Sequence, residues 1–326
     1  MNADALASAA AASPRPPTPA KRRVFAGAPP QIRRAAAVVN EAGGGVEAGA
    51  ADALRAILDR FSIEADVKSV APQDMPAAVK EAASRAPDLL VTLAGDGTAR
   101  YAAGLCGADG PLVAPLAGGT MNMLPYALYG RAPWREALEA ALSNGVVRPV
   151  PGGTVNGSPF YVAAILGSPA LWGPAREALR RGQPLKALAR ARRALAHSFK
   201  RRLRYRLDGG ARQKAEALAL VSPLMTDACF DGSALEAVAL DPRHAADVFR
   251  IGAASLFGDW RADPAVLSQC CRTAEITATQ SIPCMLDGEA HRIADTAEIG
   301  FVPHAFYALV GADAPSVAAV PETRGS

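Results

Sequence analysis

The first half of the chain alternates short, continuously apolar runs with segments whose apolar residues recur at helical spacing. The short runs match buried strands, and the periodic segments match helices that cover them. Strands separated by helices favour a parallel sheet with right-handed crossovers, as in a Rossmann-like α/β fold. The predicted strands are residues 35–40, 63–70, 89–93 and 112–116, and the predicted helices are residues 50–61, 75–85 and the segments ending at 105 and 129.

After about residue 145 the pattern changes to short strand-like runs separated by turn residues such as Asp-Gly pairs. This spacing is typical of a mostly antiparallel β domain. The sequence therefore predicts a second domain whose architecture differs from that of the first. Its predicted strands are residues 160–166, 203–207, 215–221, 235–240 and 275–278.

A length of 326 residues, 50% of them hydrophobic, suits two domains and excludes a wholly disordered or fibrous protein. Both ends are rich in Ala, Ser and Pro, which is typical of flexible tails. No apolar run approaches the ~20 residues that a membrane-spanning helix needs. The predicted parts are a disordered tail over residues 1–30, an α/β domain over 31–145, a β domain over 146–312 and a flexible tail over 313–326.

The five cysteines are scattered, and no pair of them has the C-x-x-C spacing of a zinc site or a redox motif. We therefore expect free thiols in a reducing compartment. The first twenty residues lack the basic and then apolar segments of a signal peptide. Together these features predict a cytoplasmic protein.

Basic residues are concentrated in one segment of an otherwise acidic chain. Twelve Lys or Arg and one Glu lie between residues 176 and 206, whereas the net charge of the whole chain is only +4. A predicted helix over residues 185–201 has an apolar stripe flanked by four of these cations, so it could lie on an anionic membrane surface. A solvated helix packed on the core fits equally well, and nucleic acid fits less well because no aromatic residues are interleaved. The predicted membrane-binding residues are Lys186, Arg190, Arg193 and Lys200.

The clearest chemical motif is the segment Gly95-Asp96-Gly97-Thr98, between a predicted strand and a predicted helix. The glycines let the backbone approach a ligand, and the helix that follows offers free N–H groups to an anion. A carboxylate in a phosphate cradle is useful if it holds a metal ion or takes a proton from a hydroxyl nucleophile. A simple turn in which Asp96 caps the helix is the alternative interpretation.

Three further loops have related compositions. A glycine loop at residues 40–45 follows the first strand, and Gly118-Gly119-Thr120-Met121-Asn122 follows the fourth. Because the carboxyl ends of parallel strands share one edge of a sheet, these loops are expected to meet the Asp96 loop there. Asp287-Gly288-Glu289 lies in the β domain, where a hairpin turn would also explain it.

Taken together, these motifs resemble the diacylglycerol kinase catalytic family, which includes bacterial lipid kinases and the sphingosine and ceramide kinases. The resemblance extends over about residues 33–312. It implies a nucleotide-binding α/β domain, a β-sandwich domain for the lipid, and an active site in the cleft between them. The implied activity is transfer of the γ-phosphate of ATP to a lipid hydroxyl, with Mg²⁺ as the metal ion.

The resemblance also implies roles for individual residues. Asp96 and Glu289 are the implied catalytic carboxylates, without a choice between them as the base, and Asp287 is an implied metal ligand. Two departures are Tyr101, where many relatives have Glu, and Met123, where many have Asp. The implied nucleotide-binding residues are Asn40, Gly44, Ser69, Gly95, Gly97, Thr98, Gly119, Thr120 and Asn122.

Other classes of function remain open at this point. A soluble kinase of the NAD kinase type shares the Gly-Asp-Gly loop, and a non-catalytic nucleotide- or lipid-binding regulator is compatible with Tyr101 and Met123. The expected partners are a lipid substrate and the inner face of the membrane, bound peripherally, with no nucleic acid. A homodimer is the default expectation for the oligomeric state.

Overall fold

A computed structural model of the chain describes residues 30–167, 203–229, 232–241 and 266–314. Its first four strands are parallel and adjacent, in the order β2-β1-β3-β4. Nearly every residue of β1, β3 and β4 is buried, as their unbroken apolar runs predicted. These strands are β1 (Arg34–Val39), β2 (Glu64–Ser69), β3 (Leu89–Ala94) and β4 (Leu112–Ala117).

The helices of this domain connect the strands and bury one apolar face each. In the first helix, for example, Leu54 and Leu58 are fully buried four residues apart. The fifth helix is absent from the sequence-based expectation, whereas the first four lie within a few residues of it. The helices are α1 (Ala50–Arg60), α2 (Met75–Ser84), α3 (Asp96–Cys106), α4 (Met123–Tyr129) and α5 (Trp134–Ser143).

The order of the strands places a crevice beside the glycine loops. The chain leaves β1 towards β2 on one side and returns to β3 on the other side of β1. Connections that diverge in this way open a crevice at the carboxyl ends of the strands, and that is where ligands bind in open α/β sheets. The loops after β1 and β3 border this crevice.

The second domain is a β-sandwich, which confirms the predicted fold class. A six-stranded antiparallel sheet, in the order β12-β11-β10-β7-β14-β15, packs against strands of the larger sheet across a shared apolar core. The strands are β5 (Gly145–Val155), β6 (Ser158–Phe160), β7 (Ala163–Gly167), β8 (Leu203–Leu207), β9 (Gln213–Ala215), β10 (Ala217–Val221), β11 (Leu235–Leu240), β12 (Val266–Cys271), β13 (Thr273–Thr277), β14 (Ile282–Leu286), β15 (Glu289–Ile293) and β16 (Thr296–Gly311).

One antiparallel pair of long strands, β5 and β16, connects the two domains. The end of β16 pairs with the start of β5 and packs in the core of the α/β domain, while its beginning lies in the sandwich. Only Ala308 bridges β16 to β4, opposite Val113. Pro115 has no N–H to donate on that side of β4, so the two strands separate towards the carboxyl edge.

The cysteines differ from the expectation of free thiols. Cys229 and Cys270 form a disulfide with their Cα atoms 5.8 Å apart, because the fold brings the segment after β10 beside β12. A separation of 41 residues gave no sign of this pairing in the sequence. The other three cysteines, at positions 106, 271 and 284, are free and buried.

Two further expectations concern membranes. Within the described ranges, no helix combines the length and the apolar character that crossing a bilayer requires. The predicted basic helix over residues 185–201, with its four membrane-binding residues, lies outside the described residues.

Candidate active site

The three glycine loops of the α/β domain pack directly on one another. A Cβ atom on Gly43 would lie 2.4 Å from the carbonyl oxygen of Gly118, and one on Gly119 would lie 2.6 Å from the Cα of Gly95. The Gly45 N–H donates a hydrogen bond of 3.3 Å to the Gly118 carbonyl. Glycine is therefore required for this close approach of backbones, and the loops form one continuous surface at the carboxyl edge of the sheet.

The third loop is held in shape by Asn122. This residue is buried and has a left-handed backbone, with φ of 51°. Its Oδ1 accepts a 2.8 Å hydrogen bond from the Gly119 N–H, and its Nδ2 donates one of 3.0 Å to the Gly119 carbonyl. The Asn122 amide thus closes the loop on itself, while Thr120 is exposed beside Gly44. Nucleotide contact through either side chain stays a prediction.

Asp96 is the first residue of α3, and its carboxylate points to a different helix. Its Oδ1 accepts a 3.2 Å hydrogen bond from the Leu124 N–H in the first turn of α4. The alternative interpretation from the sequence, in which Asp96 caps its own helix, is therefore wrong. Burial raises the pKa of the Asp96 carboxyl above its ordinary value, while backbone hydrogen bonds from the start of α4 act in the opposite direction.

The Asp287-Gly288 pair is a two-residue hairpin turn between β14 and β15. Both residues have positive φ, 47° and 86°, which is the turn that Asp-Gly favours. A Cβ atom on Gly288 would lie 3.8 Å from the sulfur of Met123 and 3.9 Å from that of Met121. The turn of the β domain therefore reaches the third loop of the α/β domain.

Asp287 is engaged by the backbone of its own domain. Its Oδ2 accepts a 2.9 Å hydrogen bond from the Tyr161 N–H, and its Oδ1 accepts bonds of 2.8 and 3.0 Å from those of Val162 and Ala163. The residue is 3% exposed, and this burial raises the pKa of its carboxyl. This geometry favours an anchoring function, and the predicted role as a metal ligand stays a prediction.

Glu289 follows the turn and contacts the start of α3. A Cβ atom on Gly97 would lie 1.8 Å from Glu289 Oε1, so only glycine leaves space for the carboxylate there. The other oxygen, Oε2, forms an ion pair with Arg100 on the same helix. The structure thus brings Glu289 against the residue that follows Asp96, although 193 positions separate the two carboxylates in the sequence.

The remaining predicted residues lie at the same edge of the sheet. The side chain of Asn40 closes a turn by accepting a 3.2 Å hydrogen bond from the Ala42 N–H, and Ser69 is the exposed last residue of β2. Thr98 lies in the first turn of α3. Arg100 is absent from the sequence-based prediction. It lies on the same face of α3 as Gly97, but the sequence does not show that this face contacts the β domain.

The structure thus combines an α/β domain with a β-sandwich. The candidate site lies at their junction, beside the glycine loops. Residues 34–155 match the family model described as the diacylglycerol kinase catalytic domain. The match confirms, over these residues, the resemblance that the glycine loops indicated.

Solved structures with the same fold include two from Bacillus anthracis. One is a presumed diacylglycerol kinase with a TM-score of 0.69 and 16% sequence identity, covering 88% of this chain and 100% of that one. The other, a diacylglycerol kinase, has a TM-score of 0.63 at 14% identity, with the same shares covered. No curated protein matches the chain significantly. At these identities the structural similarity establishes the fold.

Proposed function

We propose that the protein is an ATP-dependent lipid kinase, which transfers the γ-phosphate to the hydroxyl group of a lipid. The observation that carries this proposal is the contact of Glu289, from the β domain, with Gly97 beside Asp96. Asp96 and Glu289 are thus two carboxylates, one from each domain, beside the glycine loops. Phosphoryl transfer uses groups that hold the phosphates and a carboxylate that accepts the proton of the attacking hydroxyl.

The glycine loops are suited to the phosphates of ATP. The N–H groups of Gly43, Gly45, Gly118 and Gly119 donate within the protein, so the phosphates are proposed to bind mainly at the start of α3, beside the other two loops. The start of α3 adds a helix N-terminus, which favours negative charge. Exposed Thr120 and Ser69 are proposed to contact the nucleotide from either side of this surface.

We assign Asp96 as the general base and Glu289 as the second carboxylate. Burial raises the pKa of Asp96, which makes it a better proton acceptor than an ordinary aspartate. Glu289 is 45% exposed and can reach solvent and a metal ion. In the part of the chain that the structure describes, no three His, Cys, Asp or Glu side chains form a metal cluster.

That geometry still fits Mg²⁺, because in kinases this ion is held mainly by phosphates, waters and one or two carboxylates. Glu289, the carboxylate that is not assigned as the base, would supply one of those ligands. When bound, the ion would offset the charge that develops on the phosphate oxygens. The chain itself orients the phosphates and accepts the proton of the attacking hydroxyl.

A lipid acceptor is supported by the apolar side chains around the turn of the β domain. The sulfur atoms of Met121 and Met123 lie within 4 Å of a Cβ atom built on Gly288. Met123 stands where many relatives have Asp, so this departure makes the surface beside the turn more apolar. Membrane contact through the basic segment at residues 185–201 stays a prediction.

The proposal is tested by following label from γ-labelled ATP, with Mg²⁺, into acceptors in mixed micelles. The panel contains a diacylglycerol, a ceramide, a sphingoid base and a polyprenol, with NAD as a soluble acceptor. We expect label in one lipid and none in NAD. Label in NAD alone would establish a soluble kinase instead, and binding of ATP without transfer to any acceptor would indicate a regulator.

A first prediction concerns Gly97. Alanine at this position would displace the Glu289 carboxylate, which is the end of a flexible side chain, so the fold should be kept. We expect kcat to fall about 100-fold, because a small misplacement of a reacting group has an effect of this size. The unfolding midpoint should be unchanged. The control is the same change in a Glu289→Ala variant, where Gly97→Ala should cause no further loss of kcat. A further loss in that variant would show that Gly97 does not act through Glu289.

A further inference from the structure

Arg100 crosses from the α/β domain to the β domain. Its side chain is only 14% exposed, and its Nη2 forms the ion pair with Glu289 Oε2. The same nitrogen lies 3.3 Å from His291 Nε2, and Nη1 donates a 3.5 Å hydrogen bond to the Pro159 carbonyl. All three partners belong to the second domain, so one guanidinium connects α3 to two of its strands.

The face of α3 that carries Arg100 is shaped for this contact. Gly97, Arg100 and Gly104 lie three and four residues apart, so they share one side of the helix. A Cβ atom on Gly104 would lie 3.3 Å from Pro159 Cγ and 3.4 Å from the Tyr161 hydroxyl. The glycines let the helix lie close to the β domain, and the long side chain between them spans the junction.

The charge of Arg100 also matters for Glu289. A carboxylate beside a nucleotide is repelled by the phosphates and, at 45% exposure, has freedom to rotate away. A planar guanidinium donates from separate nitrogens in a fixed geometry, whereas the ammonium of lysine is a single charged centre with rotatable donors on a flexible stem. Arg100 therefore supplies both the opposite charge and a fixed direction.

We propose that Arg100 is a positioning residue that holds the Glu289 carboxylate against the start of α3 and fixes the two domains around the reaction centre. This inference rests on the proposed kinase function for its catalytic consequence. Its structural part, the coupling of Arg100 to Glu289 across the domain junction, holds independently of any activity.

The kinetic test compares Arg100→Ala and Arg100→Lys with the wild type. We expect Arg100→Ala to lower kcat about 100-fold with little change in the KM for ATP, because the glycine loops are untouched. Guanidinium in solution should restore part of the lost activity, and Arg100→Lys should be intermediate. The control is Arg60→Ala, which removes a similar ion pair to Glu139 on the surface between α1 and α5. A loss confined to KM, or no rescue by guanidinium, would overturn the proposal.

A second test needs no activity. Urea unfolding of Arg100→Gln, Glu289→Gln and the double variant measures the coupling between the two side chains. We expect the double variant to lose less stability than the two single losses combined. Additive losses would overturn the proposal even if the wild type phosphorylates a lipid. If the two side chains are coupled but the protein transfers no phosphate, the role of Arg100 at the domain junction would be supported and only the proposed function would be refuted.

Discussion

Replacing Asp287 with alanine is expected to lower the free energy of unfolding by about 3 kcal/mol or more. Three backbone N–H groups, at Tyr161, Val162 and Ala163, donate to its carboxylate, and each buried donor left without an acceptor costs about 1–3 kcal/mol. Because Asp287 is 3% exposed, water cannot easily replace the lost acceptor. Urea unfolding followed by circular dichroism measures the change.

Asp208 provides a matched control for this prediction. It has the same left-handed backbone, with φ of 45°, and its Oδ1 accepts hydrogen bonds from the N–H groups of Arg272 and Thr273. However, Asp208 is exposed, so water can satisfy those donors after its removal. Asp208→Ala should therefore cost much less. Equal losses in the two variants would mean that the buried carboxylate does not anchor the turn.

Replacing Asp96 with asparagine is expected to reduce phosphate transfer by about 100- to 10,000-fold, the range for loss of a general base. The Asn oxygen can still accept the hydrogen bond from the Leu124 N–H, so the loops should keep their shape and bind nucleotide. Initial rates and ATP binding by calorimetry separate the two effects. The exposed Asp109 supplies the control, since Asp109→Asn should change neither quantity. Unchanged transfer by Asp96→Asn would exclude Asp96 as the base.

The same variant has a predicted effect on stability. Because burial raises the folded-state pKa of Asp96 above its ordinary value of 3.8, the folded protein binds this proton more tightly than the unfolded chain does. The ionised carboxylate therefore costs stability at neutral pH, and this cost disappears as the pH falls through the raised pKa. Asp96→Asn should be more stable than the wild type at neutral pH, by a margin that shrinks on acidification. A margin that grows instead would contradict the shift.

Much of the fold could be predicted because burial and sequence pattern coincide in its central elements. The runs in β1, β3 and β4 are apolar throughout since both faces of these parallel strands are covered. Edge strands carry no such signal: β15 is largely exposed along its whole length, and the middle of β12 is exposed. These two strands are absent from the sequence-based prediction for that reason. The strands β5, β14 and β16 are absent from it as well, because prolines interrupt their apolar patterns.

Only part of the candidate site, likewise, could be predicted from the sequence. The glycine loops and the Asp-Gly turn were predictable, because a local backbone conformation demands those residues. Contacts between distant segments were not predictable, because they depend on the folded structure. Examples are the hydrogen bond from the Leu124 N–H to Asp96, the contact of Glu289 with Gly97 and the disulfide between Cys229 and Cys270. A single sequence specifies such pairs only through the final structure.

The central claim is that two carboxylates from two domains act as one phosphoryl-transfer centre. The most direct test measures transfer rates for Asp96→Asn, Glu289→Gln and the double variant beside the wild type. Residues that act as a unit have non-additive effects, so the account predicts that the double variant is hardly slower than the slower single variant. Losses that multiply, or a Glu289→Gln variant as fast as the wild type, would contradict it.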